Sequence, residues 1–236
     1  MQSIILAAGR GIRLTPAHTK ATPKCMTDIN GISILHYQIK QCLVNGVSKF
    51  VIVVGYEKNI LIDHVYEVLS PDQVIFIENP IFHKTNTLYS LYLTKEYMNT
   101  DFVYFNADVL FHPDLLKKLM VNNNKNLLLI ERKQTNEEDV KVIINNGLIK
   151  EIHKEIDILK AEGEFIGIAK FVQKDLPHFI YCLDKGVKEH QENNYFEYAL
   201  NLMCSNVELY AVYTDGLPCI EIDFPDDLKK AREMFK

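Results

Sequence analysis

The chain opens with MQSIILAAGRGIRLTPAHTKATPK (residues 1–24), and the fold is read outward from this stretch. Ile4-Ile5-Leu6 predicts a short core strand. It runs into Ala7-Ala8-Gly9-Arg10-Gly11-Ile12-Arg13-Leu14, where small residues at 7, 8, 9 and 11 let a ligand press against backbone N–H groups. Residues 1–27 carry Arg10, Arg13, Lys20 and Lys24 and no Asp or Glu, although the whole chain has a formal net charge of −5. A basic, Gly-containing loop after the first strand of an acidic protein suits an anion, phosphate first.

Downstream, apolar runs and helical periodicities alternate. Helix is predicted over 33–44, with Ser33 as N-cap and Gly46 as stop. A continuous apolar strand follows at 50–54, of the kind buried on both faces of a parallel sheet. Helix 59–69, strand 74–77, a loop over 78–85, helix 86–98, strand 102–105, helix 113–121 and strand 127–130 continue the pattern. Strand–helix alternation predicts a doubly wound α/β sheet. In such sheets ligands bind at the carboxyl ends of the strands, where the first loop and Asp108 both fall.

The second half changes character. Residues 140–145 and 148–153 flank Asn146-Gly147 and predict a hairpin with a type I′ turn. A strand over 164–171, helices over 176–183 and 195–203, strands over 207–213 and 219–222, and a helix over 225–235 complete the chain. Pro225 suits the first turn of that last helix. The expected organisation is one domain, 1–236. Its core comes from 1–134 and 218–236, and a small α+β lobe from 135–217.

Composition bounds the function. With 236 residues, 47% hydrophobic and 24% charged, the chain can bury a sizeable core. Net negative charge argues against a general nucleic-acid binder. Apolar runs under ten residues argue against a membrane span, and the interrupted first segment against a signal peptide. The five cysteines are scattered without metal-ligand spacing and suit reduced thiols in the cytoplasm. Cys25, beside Lys24, is either a reactive thiol or an apolar filler.

Asp108 and Asp223 each follow a strand. Together they could hold one Mg²⁺, or serve separately as a turn residue and a helix cap. Asn79 and Asn86-Thr87 flank a loop at the same edge. Their groups could read a base, while capping is the plain alternative for Asn86. Lys141 and Lys154 flank the hairpin, as phosphate ligands or as solvated surface charges. Glu164, between Gly163 and Gly167, could point into a cleft. Tyr195, Phe196 and Glu197 line an acceptor pocket or belong to the core.

The residues assembled above resemble the nucleotidyltransferases that activate sugar phosphates and polar head groups. Gly9-Arg10-Gly11-Ile12-Arg13-Leu14 with Pro23-Lys24 matches the family's G-x-G-x-R-L and Pro-Lys signature. Asn106-Ala107-Asp108 and Glu221-Ile222-Asp223 are similar to its two metal-binding stretches. Residues 86–91, Lys141-Val142, 163–170 and 221–225 are similar to the CTP-using branch. That branch includes phosphocholine, 2-aminoethylphosphonate and phosphoramidate cytidylyltransferases.

The resemblance covers essentially the whole chain and implies a Rossmann-like mixed sheet of the GT-A-like nucleotidyltransferase type. It implies transfer of CMP from CTP to a small amine-bearing phosphate, phosphoramidate or phosphonate, with release of pyrophosphate, for decoration of surface polysaccharide or lipid head groups. In that reading Leu6, Ala7, Ala8, Gly9, Gly11, Arg13, Lys24, Asn79, Asn86, Thr87 and Ala107 meet the nucleotide. Lys24, Arg13, Asp108 and Asp223 are catalytic, with Mg²⁺ on the two aspartates. Lys141, Lys154, Glu164, Tyr195, Glu197 and Glu221 face the acceptor. No nucleic-acid or membrane partner is implied, and a homodimer is the assembly considered.

Ile12 and Pro16-Ala17-His18 depart from the family pattern. The absence of Trp disfavours a choline cage, since Trp holds quaternary ammonium best. Sugar-1-phosphate nucleotidylyltransferase and non-catalytic nucleotide-binding regulator stand as the alternatives. A dinucleotide-dependent dehydrogenase is disfavoured because Leu14-Thr15-Pro16 gives no helix start after the glycines.

Overall fold

The computed structural model describes residues 1–11, 13–14, 22–121 and 124–236. Expectations resting on Ile12, Thr15, Pro16-Ala17-His18, Lys20 and positions 122–123 fall outside the described residues. The first half contains β1 (Gln2–Leu6), β2 (Asp28–Ile29), β3 (Ile32–Ser33), α1 (Ile34–Val44), β4 (Lys49–Val54), α2 (Lys58–Tyr66), β5 (Val74–Glu78), α3 (Thr87–Tyr92), β6 (Phe102–Asn106), β7 (Val109–Phe111) and α4 (Pro113–Val121). The second contains β8 (Asn126–Glu131), β9 (Lys141–Asn145), β10 (Leu148–His153), β11 (Glu164–Phe171), α5 (Leu176–Lys188), α6 (Glu197–Met203), β12 (Leu209–Tyr213), β13 (Cys219–Glu221) and α7 (Pro225–Met234).

Among the described residues nine strands form one mixed sheet in the order β5-β4-β1-β6-β11-β8-β12-β10-β9. β5, β4, β1 and β6 run parallel, and β11 enters antiparallel to both β6 and β8. Side chains alternate across each strand, so β1 feeds two cores at once. Ile4 and Leu6 pack with α3, α5 and α6 on one face, through Leu88, Phe179 and Leu200. Ile5 and Ala7 pack with α1, α2 and α4 on the other, through Leu35, Leu61 and Leu115. Each fully buried apolar side chain contributes about 1.5–3 kcal/mol, while an exposed ion pair contributes about 0–1. Those two cores therefore hold the sheet against its helices.

The strand–helix alternation is as the periodicity predicts, with differences at the edges. Ser33 caps α1, accepting from the His36 N–H at 3.1 Å. The Asn146-Gly147 turn has φ of 52° and 77°, the pair of positive values that a type I′ turn requires. The helix expected over 86–98 stops at Tyr92. Thr94 turns back on the Leu91 carbonyl with both its N–H (3.0 Å) and its hydroxyl (2.7 Å), which tightens the chain into a short 3₁₀ turn over Lys95–Tyr97. The β2–β3 hairpin around Asn30-Gly31 and the β7–β13 pair are additions.

The expected lobe, 135–217, is not a separate layer. Its strands β9 to β12 continue the main sheet, and β11 lies beside β6 at the centre. Residues 219–221 join β7 in a two-stranded sheet instead of the main one. Among the described residues no helix is long and apolar enough to cross a membrane.

β11 pairs with β8 through a register shift between Phe165 and Ala169, and Gly167 sits inside it with φ of 73°. A Cβ there would lie 2.5 Å from the Asn106 side-chain nitrogen. Gly167→Ala is expected to cost about 1–3 kcal/mol through left-handed strain and this clash, read as a lower denaturant midpoint. An unchanged midpoint would contradict the assignment.

Candidate active site

A cleft of about 540 Å³ opens at the carboxyl ends of β1 and β6. Its floor is the loop after β1. The Ala7 N–H donates to the Val53 carbonyl (2.9 Å) and the Ala107 N–H to the Leu6 carbonyl (3.2 Å), so the sheet ladder extends to the lip of the loop. Gly11 has φ of 60°, and a Cβ there would lie 2.7 Å from Lys24 Cβ. Glycine at this place lets the Lys24 stem lie against the loop.

Two acidic stretches come together by pairing. β7 and β13 are antiparallel with Val109 opposite Glu221, and the Ile222 N–H donates to the Asp108 carbonyl at 3.1 Å. Asp108, just before β7, therefore faces Asp223, just after β13. Buried Gln38 of α1 props the turn by donating to the Asn106 (2.9 Å) and Val109 (2.8 Å) carbonyls. The Asp227 carboxylate accepts from the N–H groups of Asp223 (3.2 Å) and Phe224 (2.9 Å) at the start of α7.

Lys24 Nζ sits between the two aspartates. It donates to Asp108 Oδ2 at 2.6 Å and to Asp223 Oδ1. Arg13 Nη2 pairs with Asp223 Oδ2 at 2.9 Å while its guanidinium lies over the Phe224 ring. Burial pulls the Lys24 ammonium toward losing its proton. Asp108, Asp223 and Glu221 outweigh burial and raise it above its ordinary value, so Lys24 stays charged.

Carboxylate oxygens of Asp108, Glu221 and Asp223 lie within 4.8 Å of one another. Asp108 Oδ1 is buried and has no hydrogen-bond partner among the described residues. An all-oxygen, carboxylate-rich donor set with an unsatisfied acceptor fits a hard divalent cation such as Mg²⁺.

Most of the residues predicted to meet the nucleotide line this cleft: Leu6, Ala7, Ala8, Gly9, Gly11, Arg13, Lys24, Asn86, Thr87 and Ala107. Asp108, Glu221, Asp223 and Tyr195 line it as well. Asn86 Oδ1 accepts from the Thr87 N–H (2.8 Å), so the residue caps α3 and faces the cleft at once. The Thr87 hydroxyl accepts from the Phe196 N–H at 2.8 Å, which ties α3 to the segment bearing Tyr195.

Three placements correct the sequence reading. Asn79 is 1% exposed, and its amide donates to Thr85 Oγ1 and Ser90 Oγ, both at 3.0 Å. With both donors used inside the fold, it shapes the 79–85 loop and does not line the cleft. Lys141 is 1% exposed, and its ammonium donates to the carbonyls of Asn136, Glu137 and Asp139 at 3.0–3.2 Å. It closes that turn and does not line the cleft. Glu197 is withdrawn behind the cleft wall, with Oε2 buried and unpartnered among the described residues. Burial pushes it up to about 7.

Glu164 pairs with Lys133 at 2.6 Å, beside the cleft but not lining it. Burial nevertheless pushes it up to about 7, against the pull of Lys133. Lys154 lies 4.6 Å over the Tyr195 ring and 3.6 Å from Glu138. Cys25 is 3% exposed, and burial pushes its thiol up to about 12, so it is a filler and not a nucleophile. Phe82, His83, Thr85, Ser90 and Asn106 line the cleft without having been singled out. The Asn106-Ala107-Asp108 turn was the available signal for Asn106.

Glu197 sets a pH dependence of stability. Its folded value near 7 lies above the ordinary 4.5. The folded state therefore holds a proton that the unfolded chain releases, and stability falls as pH rises from about 4.5 to about 7. Glu197→Gln is expected to flatten that fall and to gain about 1–3 kcal/mol at pH 8, measured by denaturation across pH. Parallel curves for the two proteins would refute the placement.

The model of the MobA-like NTP transferase domain matches residues 3–161. A CTP:phosphoglutamine cytidylyltransferase of Campylobacter jejuni is 29% identical over 97% of this chain and 98% of its own. A choline-phosphate cytidylyltransferase of Streptococcus pneumoniae is 25% identical over 100% and 99%. Among solved structures, the inositol-1-phosphate CTP transferase of T. maritima superposes with a TM-score of 0.82 at 24% identity, covering 99% of this chain and 94% of that one. Its likeness extends the shared fold to the whole length, β9 to β13 included. With the first-loop geometry and a family match over most of the chain in agreement, this chain belongs to the MobA-like NTP transferase domain family.

Proposed function

We propose that this protein is a cytidylyltransferase that transfers CMP from CTP to a small phosphorylated, phosphoramidate or phosphonate acceptor bearing an amine, and releases pyrophosphate. The observation that carries this reading is the meeting of Lys24, Asp108 and Asp223 in one cleft beside the glycine loop. Binding alone needs neither aspartate, and a paired set of carboxylates facing a phosphate loop suits phosphoryl chemistry. The full-length likeness to two CTP-using relatives supports the choice of base and of acceptor class.

In the proposed reaction an acceptor oxygen attacks the α-phosphorus. A new P–O bond forms, the bond from the α-phosphorus to the bridging oxygen breaks, and pyrophosphate takes the electron pair. Such transfer depends on positioning and charge neutralisation. Backbone N–H groups of Ala8 to Gly11 and the exposed Arg13 would hold the β- and γ-phosphates. Lys24 would balance charge developing on the α-phosphoryl oxygens. Asp108, Asp223 and Glu221 would hold Mg²⁺, which supplies neutralisation of the phosphate charge when bound. Asn86 Nδ2 would donate to an acceptor atom of cytosine. Tyr195, with Lys154 over its ring, and Glu221 would form the acceptor side.

A pyrophosphate-release assay with CTP against phosphocholine, 2-aminoethylphosphonate, phosphorylated glutamine and sugar 1-phosphates tests the reading. CTP is expected to be preferred over UTP, dTTP and ATP; equal use of UTP or dTTP with a sugar phosphate would replace it with sugar activation. Asp108→Ala is expected to lower kcat by about 10²-fold or more, with the melting curve retained. Lys24→Ala is expected to lower kcat more than it raises the KM for CTP, and a change confined to KM would overturn the transition-state role.

A further inference from the structure

Three of the four oxygens of Asp108 and Asp223 are held by cations. Lys24 Nζ holds Asp108 Oδ2 at 2.6 Å and also Asp223 Oδ1. Arg13 Nη2 holds Asp223 Oδ2 at 2.9 Å. Asp108 Oδ1 is sealed from solvent. Of the three carboxylates that converge here, Glu221 alone is exposed.

We infer that Lys24 and Arg13 are resident cations that keep the two aspartates closed to a free divalent metal, so that the metal enters only after a polyphosphate has seated. The inference rests on the proposed nucleotidyl-transfer reading and adds an order of binding to it. A Mg²⁺ ion takes its oxygens at about 2.0–2.1 Å in near-octahedral geometry. An ammonium hydrogen-bonded to the same two oxygens occupies that place and repels the incoming charge. Glu221 by itself offers one ligand, too few to hold the ion.

A triphosphate would change this balance. Lys24 packs along the glycine loop, where the Gly11 Cα leaves room for its stem. Arg13 is 58% exposed, and among the described residues it is held by the Asp223 ion pair and by its place over the Phe224 ring. Phosphates seated on the loop N–H groups would offer both cations new anionic partners within the reach of their flexible stems. As the cations turn to the phosphates, the aspartate oxygens become available to the metal. By linkage, metal then strengthens nucleotide binding by the same factor.

Mn²⁺ serves as the probe, followed by electron paramagnetic resonance of the free ion, with no nucleotide present. Wild type is expected to bind weakly, and Lys24→Met roughly 10- to 100-fold more tightly, the usual span of couplings between sites. In EDTA, wild type is expected to bind CTP without metal, seen by calorimetry. Circular dichroism checks the fold of Lys24→Met, and Lys24→Gln replaces it if needed.

Wild type that binds Mn²⁺ alone as tightly as the Lys24 variants do, at a site abolished by Asp108→Asn, would overturn the exclusion and leave the metal centre standing. Failure of CTP to bind in EDTA would also overturn the order. If neither Lys24 variant binds Mn²⁺, and CTP creates no Mn²⁺ site in wild type that Asp108→Asn removes, the metal centre of the proposed function fails and the order with it.

Discussion

The ion-pair bridge from Lys24 to Asp108 and Asp223 is the constraint on which the rest of the cleft depends. It ties together three parts of the chain that lie far apart in sequence: the turn after the first loop, the end of β6 and the end of β13. Features that look unrelated serve it. Gly11 gives the lysine stem room, Gln38 props the 106–109 turn, β7 pairs with β13, and Asp227 holds the backbone at Asp223. None of these is itself a charged group in the bridge. Each fixes the position of one.

The bridge also explains why an acidic chain concentrates cations in its first loop. Three carboxylates brought this close would repel one another in the ligand-free protein. Lys24 and Arg13 neutralise most of that charge in place. Transfer of a nucleotidyl group asks for preset charge more than for a covalent helper, so charges held by strand ends and helix caps suit the task. The same region carries costs: Glu197 lies buried without a partner for one oxygen, and Glu164 is raised despite Lys133. Such groups weaken a fold whose stability comes from the two apolar cores on the faces of the sheet.

Much of the fold was legible because it follows from local periodicity. The buried strands β1, β4 and β6 are unbroken apolar runs, α1 has its serine cap, and Asn146-Gly147 can make only a narrow set of turns. Less visible was β7, three residues long and directly after the Asp108 turn. Asn30-Gly31 was a turn signal of the same type as Asn146-Gly147, and its hairpin could have been read. The central place of β11 was hidden for a different reason: strand order is set by which faces meet, and a run such as Phe165–Ala169 reads the same at the edge of a sheet or in its middle.

For the site, residue types spoke for themselves where the chemistry is local. The glycine loop, Arg13, Lys24 and the two aspartates each follow a strand or a turn in the sequence, and all of them line one cleft. Asn79, Lys141 and Glu197 are the same kinds of residue in equally suggestive surroundings, yet the fold uses or hides them elsewhere. Sequence by itself determined which strands and loops carry charge toward the carboxyl edge of the sheet, because periodicity and turn chemistry act over a few residues. Tertiary structure alone decided which polar side chains are left facing the cleft. Whether a buried amide or ammonium is already satisfied depends on carbonyls and hydroxyls brought to it by packing, and on whether oxygens about 115 residues apart end within reach of one lysine.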